Sequence, residues 1–192
     1  MNREPTKKLL EHYLNVMVAK QGSDLYFVTG APPNMKIQGK TRAIEKKPFE
    51  TGQVQKLVYS LLSEKQICKF ETSREFNLAF TLNNIGRFRV NVFSQRSEVS
   101  MVIRYIKWDI PSLDELGLPQ VLKEVVMSRS GLILVAGSTG SGKSTTLAAM
   151  LDHRNKMADG HILTIEDPIE FVFRHKKSIV SQREVGIDTL SY

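Results

Sequence analysis

The chain has 192 residues, of which 41% are hydrophobic, and this length suits one large domain or two small ones. Its formal net charge of +7 would suit an acidic partner, but the basic residues are dispersed, so the charge predicts no defined binding patch. The single cysteine excludes a disulfide framework within the chain, and no apolar stretch approaches the ~18 residues of a membrane span, so we expect a cytoplasmic chain without direct membrane insertion.

The first half of the chain predicts an α+β domain. Apolar residues recur at helical spacing over 6–20, which predicts an amphipathic helix. Strands are predicted over 25–29 and 34–44, separated by the glycine and proline turn 30–33. The remaining elements of this half are two helices and three alternating strands, predicted over 53–62, 64–70, 76–82, 87–93 and 99–106.

The register of the last two strands can be predicted, because an antiparallel pair must place its apolar residues on one face. A turn centred between Arg96 and Ser97 pairs Val92 with Met101, Val90 with Ile103 and Phe88 with Tyr105. The same register sets Arg89 opposite Arg104, a like-charge pair that is unfavourable unless an anion or an acid lies between the two. Alternatively, both guanidinium groups extend separately into water. If the two instead lie side by side, replacing either arginine with Ala relieves the repulsion in an isolated domain.

A domain boundary is predicted near the middle of the chain. We expect an N-terminal domain over 1–107, a linker rich in proline and acidic residues over 108–118, and a second domain from 119 to 192. The second domain is predicted to begin with a short helix over 121–128. The apolar run 132–136 then predicts a strand that is buried on both faces, as in a parallel sheet covered by helices.

A phosphate-binding loop is predicted directly after that run. The pattern G-x-x-x-x-G-K-[ST] is satisfied, and the candidate nucleotide-binding residues are Gly137, Ser138, Thr139, Gly140, Ser141, Gly142, Lys143, Ser144 and Thr145. Glycines turn backbone N–H groups towards anionic oxygens, and the following helix, predicted over 144–157, directs its positive end at the same place. In this interpretation Lys143 reaches the β- and γ-phosphates of ATP and Ser144 binds Mg²⁺. The alternative is a tight Gly/Ser loop at the end of a strand.

Three carboxylates follow the next predicted strand, 161–165. Strand, helix and strand together predict a right-handed βαβ unit, in which ligands bind beyond the carboxyl ends of the strands. Glu166, Asp167 and Glu170 lie at that end. A nucleotide hydrolase needs one carboxylate to deprotonate the attacking water and another acid to orient Mg²⁺, for which Glu166, acting through a water, is a candidate. The alternative is a group of surface acids that begins a loop.

Together these motifs resemble the secretion-type ATPases that drive type IV pili, and among them the retraction ATPases of the PilT/PilU family. The resemblance covers essentially the whole chain, and the stretches that carry it are 22–25 with Pro32 and Pro33, 86–90, 137–146, 165–170 and 182–186. It implies an α/β protein with a PAS-like N-terminal domain and a RecA-like P-loop ATPase domain. It also implies a homohexamer at the cytoplasmic face of the inner membrane, working with an inner-membrane pilus platform protein.

The resemblance assigns roles to individual residues. Arg89 and Arg104 match arginines of the N-terminal domain that reach the nucleotide, and Glu170 matches the glutamate assigned as catalytic base. Many relatives carry a histidine where this chain has Phe173, so a role for that histidine is not expected here. The family's Walker B segment and histidine box lie beyond Tyr192, so residues 1–192 alone are expected to be inactive.

We therefore expect an ATP-hydrolysing motor for pilus retraction. The stretches 154–162 and 183–189 are more similar to the PilU branch, the accessory ATPases that work alongside a PilT-like primary motor. The alternatives are a nucleotide-binding adaptor with little hydrolysis of its own, and an ATPase of pilus extension or type II secretion. A DNA translocase is disfavoured, because the chain lacks the interleaved aromatic and basic residues of a single-strand binding groove, and no nucleic acid partner is expected.

Overall fold

The computed structural model describes residues 3–82, 85–106 and 108–192, and the chain divides into two compact units, Met1–Ile106 and Lys107–Tyr192. Each unit has a hydrophobic core of its own. Among the described residues, no helix is both long and apolar enough to cross a membrane. The boundaries proposed for the two domains and the linker stay a prediction.

The first unit is an antiparallel sheet covered on one face by helices. The six strands are ordered β3-β2-β1-β6-β5-β4 across the sheet. They are β1 (Asp24–Phe27), β2 (Asn34–Ile37), β3 (Lys40–Ala43), β4 (Glu75–Leu82), β5 (Gly86–Gln95) and β6 (Glu98–Ile106). The helices are α1 (Arg3–Ala19), α2 (Gln53–Leu61) and α3 (Glu64–Ser73).

The two faces of this sheet differ because side chains alternate along each strand. One face is apolar and buried: Leu25, Val90 and Ile103 are fully inaccessible and belong to the core that also contains apolar residues of α1 and α2. The residues next to these three in sequence, Asp24, Arg89 and Arg104, point to the other face of the sheet. The sheet therefore presents its polar groups on one side.

The predicted strand register is confirmed, and one predicted strand is wrong. Ladder β5–β6 pairs Phe88 with Tyr105, Val90 with Ile103, Val92 with Met101, and Arg89 with Arg104. The region 34–44 was predicted as one strand, but it forms the hairpin of β2 and β3. Gln38 and Gly39, with φ of 48° and 79°, make the turn, and positive φ at both central positions is the pattern of a type I′ hairpin turn.

The second unit packs helices against a small parallel sheet. Its elements are α4 (Val121–Val126), α5 (Lys143–Met157), β7 (Gly160–Glu166) and β8 (Ser178–Glu184). Strands β7 and β8 are parallel, with Ile162 opposite Val180. These two residues bury one face of the sheet against Ala148 of α5 and Phe173. On another side, Ala149 and Met150 of α5 pack against α4. The α/β class is confirmed.

The strand predicted over 132–136 is wrong for the described part of the chain. This run forms no ladder there, and Leu132 and Leu134 are 82% and 81% exposed. A strand needs a hydrogen-bonded neighbour as well as an apolar sequence, and the described parallel ladder of β7 is with β8. The predicted βαβ unit of 132–136, the following helix and 161–165 is therefore absent in the form expected: its helix and second strand are present as α5 and β7, but its first strand forms no ladder in the described part of the chain.

Candidate nucleotide-binding site

The predicted phosphate loop leads directly into α5. Gly142 is the residue before the helix and has φ of 93°, a left-handed conformation that glycine adopts without strain. The carbonyl of Gly142 accepts the helix's first backbone hydrogen bond, from Thr146 N–H at 2.8 Å. At the other end of the loop, a Cβ on Gly137 would lie 2.7 Å from Ser141 Oγ. The glycines therefore allow the tight backbone turns that a phosphate-binding loop requires.

Positive charge converges on this loop. Lys143 begins α5 and donates a hydrogen bond from Nζ to the carbonyl oxygen of Ser138 at 2.8 Å, which places the ammonium across the loop. Ser141 N–H donates to the same carbonyl at 3.3 Å. The first turn of α5, a helix of 15 residues, contains no acidic side chain, so its positive N-terminal end is not neutralised locally. These features fit the phosphates of a nucleotide.

Ser144 and the three predicted carboxylates line one cleft. Its volume is about 440 Å³, and Ser144, Glu166, Asp167 and Glu170 all contribute to its wall. Its apolar wall comes from α5, from β7 and from the segment after β7, and consists of Leu147, Ala148, Leu151, Ile165, Pro168, Phe171 and Phe173, with Thr164 and Tyr192 also lining it. A hydroxyl and carboxylate oxygens are ligands that Mg²⁺ prefers, and this cleft offers both types, although among the described residues no three acidic, histidine or cysteine side chains form a metal-binding group by themselves.

Glu166 is held in place by two neighbours. Its Oε1 accepts a hydrogen bond from Thr164 Oγ1 at 2.7 Å and another from Gln182 Nε2 at 3.0 Å. Gln182 lies on β8, two residues before Glu184, which is the residue opposite Glu166 in the parallel ladder. The half-buried carboxylate therefore keeps one orientation at the end of β7.

Gln182 also fixes the segment that follows Glu170. Its Nε2 donates to the carbonyl oxygen of Phe171 at 2.8 Å, and its Oε1 accepts from Phe173 N–H at 2.9 Å. Phe173 is 8% exposed and lies in the core with Ala148, Ile162 and Val180. Sequence reasoning did not identify Gln182 as a site residue. The signal available was its place in the stretch 182–186 that carries the family resemblance.

Glu170 and Asp167 are exposed on the wall of the cleft. Between them, Ile169 is 4% exposed and anchors the segment in the protein. An exposed carboxylate on an anchored segment is accessible to water and to a bound nucleotide. The structure thus brings Glu170 to the same cleft as Ser144, as a catalytic base for nucleotide hydrolysis would require.

The helix that carries Lys143 and Ser144 is tied to the rest of the unit by buried polar groups. Asp152 of α5 forms ion pairs with Lys156 at 2.8 Å and Lys176 at 2.5 Å. Burial alone would raise the pKa of Asp152, but the hydrogen bonds and charges of the two lysines outweigh it and lower the pKa below its ordinary value. Asn155, fully buried, donates from Nδ2 to the carbonyl of Arg174 at 2.7 Å.

The two predicted arginines lie together in the first unit. Arg89 is directly opposite Arg104 in the β5–β6 ladder, and Asp24 is opposite Arg104 in the β1–β6 ladder. These three residues line one shallow depression on the polar face of the sheet, together with Glu75, Asn77, Asn91 and Val102. Asp24, which sequence reasoning did not identify, lies on the side of Arg104 away from Arg89, so it is not between the two arginines but neutralises Arg104 from the neighbouring strand. Its pairing with Arg104 joins strands far apart in the chain.

Comparison with known proteins places this chain in a family. Residues 1–190 match the profile of the family described as Type II/IV secretion system protein. The chain is 46% identical over 182 residues to the type IV pilus ATPase PilU of Pseudomonas aeruginosa, an alignment that covers 95% of this chain and 48% of that protein. It is 47% identical over 175 residues to the type IV pilus retraction ATPase PilT of the same organism, covering 91% of this chain and 51% of the relative.

Solved structures of ATPases resemble this chain as well. The crystal structure of the pilus retraction motor PilT with bound ADP matches with a TM-score of 0.84 at 44% sequence identity, covering 97% of this chain and 53% of that chain. The chain thus spans about half the length of the curated relatives it matches. The X-ray structure of the Legionella pneumophila ATPase DotB, 24% identical with a TM-score of 0.73, shares the fold.

Proposed function

The chain belongs to the Type II/IV secretion system protein family, which confirms the resemblance inferred from its motifs, and we propose that the full-length protein is an ATP-hydrolysing hexameric motor of type IV pilus retraction. The observation that carries the proposal is that Ser144, Glu166 and Glu170 line one cleft next to the phosphate loop. Packing alone gives no reason to collect three such groups beside a glycine loop. Nucleotide hydrolysis requires them together.

In this proposal the phosphate loop and Lys143 bind the phosphates of ATP. The backbone N–H groups of residues 137–145 and the N-terminal end of α5 surround the β-phosphate, and the Lys143 ammonium contacts the β- and γ-phosphates. For the ammonium to do so, its hydrogen bond to Ser138 must exchange for a phosphate oxygen. Ser144 would hold Mg²⁺ directly and Glu166 would hold it through a water. When bound, Mg²⁺ stabilises the negative charge that develops on the phosphates.

Glu170 is proposed as the general base. Its carboxylate is exposed to the cleft and can accept the proton of a water that attacks the γ-phosphate. Glu166 is less suited to that role, because its Oε1 already accepts hydrogen bonds from Thr164 and Gln182. Arg89 and Arg104 are proposed to bind the γ-phosphate from the first unit, where planar guanidinium groups bind several oxygens at once.

The comparisons support the biological setting of the proposal. PilU and PilT are named as type IV pilus ATPases, and their alignments with this chain cover 95% and 91% of its length. We propose that the protein is an accessory retraction ATPase that works with a PilT-like primary motor and with an inner-membrane pilus platform protein. Its place would be the cytoplasm, peripheral to the inner membrane.

A retraction assay tests this function. We expect that deleting the gene reduces pilus retraction, and that the wild-type gene restores it. A gene encoding Lys143→Ala should not restore it, although the variant protein accumulates normally. Full restoration by Lys143→Ala would mean that the protein serves retraction without using ATP in this site, and unchanged retraction after deletion would remove the pilus function.

A further inference from the structure

The carboxylate of Asp24 is buried although it belongs to the polar face of the sheet. Its side chain is 4% exposed, whereas that of Arg104 beside it is 62% exposed. A buried carboxylate is costly unless hydrogen bonds and a cation compensate it. Asp24 has both: Ser23 Oγ donates to Oδ2 at 2.8 Å, and Arg104 Nε donates to Oδ1 at 2.8 Å. The two oxygens thus have different partners.

The backbone around Asp24 is fixed from both sides. Ser23 N–H donates to the carbonyl of Lys36 at 2.9 Å, and Tyr105 N–H donates to the carbonyl of Ser23 at 3.1 Å. These bonds tie the start of β1 to β2 on one side and to β6 on the other. The carboxylate is therefore attached to a rigid part of the sheet, and it can orient a long flexible side chain.

The bond to Arg104 engages only the Nε–H of the guanidinium. A guanidinium has five N–H donors, and the four on its two terminal nitrogens take no part in this bond. Because Nε is the nitrogen closest to the aliphatic chain, holding it restricts the plane of the group. The Arg104 side chain is 62% exposed, so its terminal donors are accessible from solvent. This arrangement suits a second, bidentate bond to an anion.

We propose that Asp24 is a positioning residue that orients Arg104 for a phosphate of the bound nucleotide. The inference rests on the proposed function, in which Arg104 contacts the γ-phosphate. Asp24 itself touches no nucleotide. Its carboxylate holds Nε, reduces the repulsion between Arg104 and Arg89, which face each other across β5 and β6, and so keeps the terminal donors of Arg104 in one direction.

The test is a double-mutant cycle in the full-length protein. We would measure kcat and KM for ATP in the wild type, Asp24→Asn, Arg104→Ala and the double variant. Asn keeps an oxygen at this place but loses the charge, so kcat should fall by about tenfold, the usual effect of losing a charge-assisted bond, with KM changed less than about twofold. In the Arg104→Ala background the same change should have no further effect, because the group that Asp24 orients is gone.

Two further variants distinguish the proposed effect on Arg104 from a general loss of folding. Ser23→Ala removes the bond to Oδ2 but keeps both Asp24 and Arg104, and should lower kcat by a smaller factor that also disappears in the Arg104→Ala background. Glu50→Gln breaks an exposed ion pair with Lys47 elsewhere in the first unit and should leave kcat unchanged. Thermal unfolding of each variant shows whether the fold is retained.

The outcomes separate this proposal from the function on which it rests. If Arg104→Ala is impaired and Asp24→Asn has wild-type kcat, Asp24 is not a positioning residue, although Arg104 keeps its assigned role. If Asp24→Asn lowers kcat equally with and without Arg104, its role is structural and the proposal fails. If Arg104→Ala has wild-type kcat, the arginine assignment itself fails. Loss of the Asp24→Asn effect in the Arg104→Ala background supports the proposal.

Discussion

Lys143 donates a hydrogen bond from its ammonium to the carbonyl oxygen of Ser138, 2.8 Å away, across the phosphate loop. The ammonium is thus held over the loop that is predicted to bind the phosphates. Because the Lys143 side chain reaches back over five residues to the start of the loop, a phosphate that enters the loop meets the positive charge at once. The same bond stabilises the loop only modestly, since it lies at the protein surface.

We therefore predict that Lys143→Ala reduces ATP turnover of the full-length protein to less than about a tenth of wild type, because such electrostatic contacts to developing charge contribute ~10²-fold or more. The melting temperature should change little. Lys177→Ala, which removes an exposed lysine of the same unit, is the control and should retain turnover. Turnover in Lys143→Ala above that level would contradict the role assigned to its ammonium.

Glu170→Gln should bind ATP nearly as well as the wild type but should not turn it over. The amide can still hydrogen-bond to water but cannot accept a proton. Nucleotide binding, measured by fluorescence of a labelled ATP, and steady-state hydrolysis are compared in the same preparation. Equal loss of binding and of hydrolysis would indicate instead that Glu170 orients the metal or supports the structure. Glu124→Gln, an exposed position on α4, serves as the control.

Replacing Gln182 with either Ala or Glu should destabilise the protein. Gln182→Ala leaves Phe173 N–H without the acceptor it has in the structure and releases Glu166, so the free energy of unfolding should fall by ~1–3 kcal/mol. Gln182→Glu keeps the shape but places a carboxylate beside Glu166 and removes the donor. Chemical denaturation should show the Glu variant to be at least as destabilised as the Ala variant. A neutral effect of both would mean that the bonds of Gln182 contribute no stability.

The ion pairs of Asp152 predict a pH dependence of stability. The pKa of Asp152 is lowered in the folded protein, so the unfolded chain binds its proton at higher pH than the folded one does. The stabilisation is therefore complete above the unfolded pKa of about 4 and is lost as the pH falls below that value towards the folded pKa.

Asp152→Asn tests this prediction. At pH 7 the variant should unfold with a free energy lower by ~1–2 kcal/mol, a value reduced because its two lysines are partly exposed. The difference from wild type should shrink as the pH is lowered below about 4. Asp114→Asn, which breaks an exposed pair with Lys123, is the matched control and should have a smaller effect. A difference that is constant with pH would show that the loss has another origin.

The sequence predicted those features that depend on local pattern. The register of β5 and β6 followed from the alternation of apolar residues, because a shift by one residue would turn Val90 and Ile103 to the polar face. The helix after the phosphate loop was likewise predicted from the motif, and the carboxylates were predicted to lie near the loop, although that prediction relied on a first strand that does not form in the described part of the chain.

Features that depend on distant partners could not be predicted in the same way. An apolar composition made 132–136 resemble a strand, but pairing depends on a neighbouring strand that the run itself does not encode. The turn at Gln38 and Gly39 was missed because the residues on either side continue a strand-like pattern. Asp24 and Gln182 were missed because their partners, Arg104 and Glu166, are brought near only by the sheets.

Steady-state ATP turnover of the purified full-length protein, measured alone and again with a PilT-like primary motor, tests the central claim most directly. We predict Mg²⁺-dependent turnover by the protein alone, and its loss in Glu170→Gln. A protein that binds ATP but shows no turnover in either setting above that of Glu170→Gln would contradict the claim that it is a motor and would indicate a nucleotide-binding adaptor.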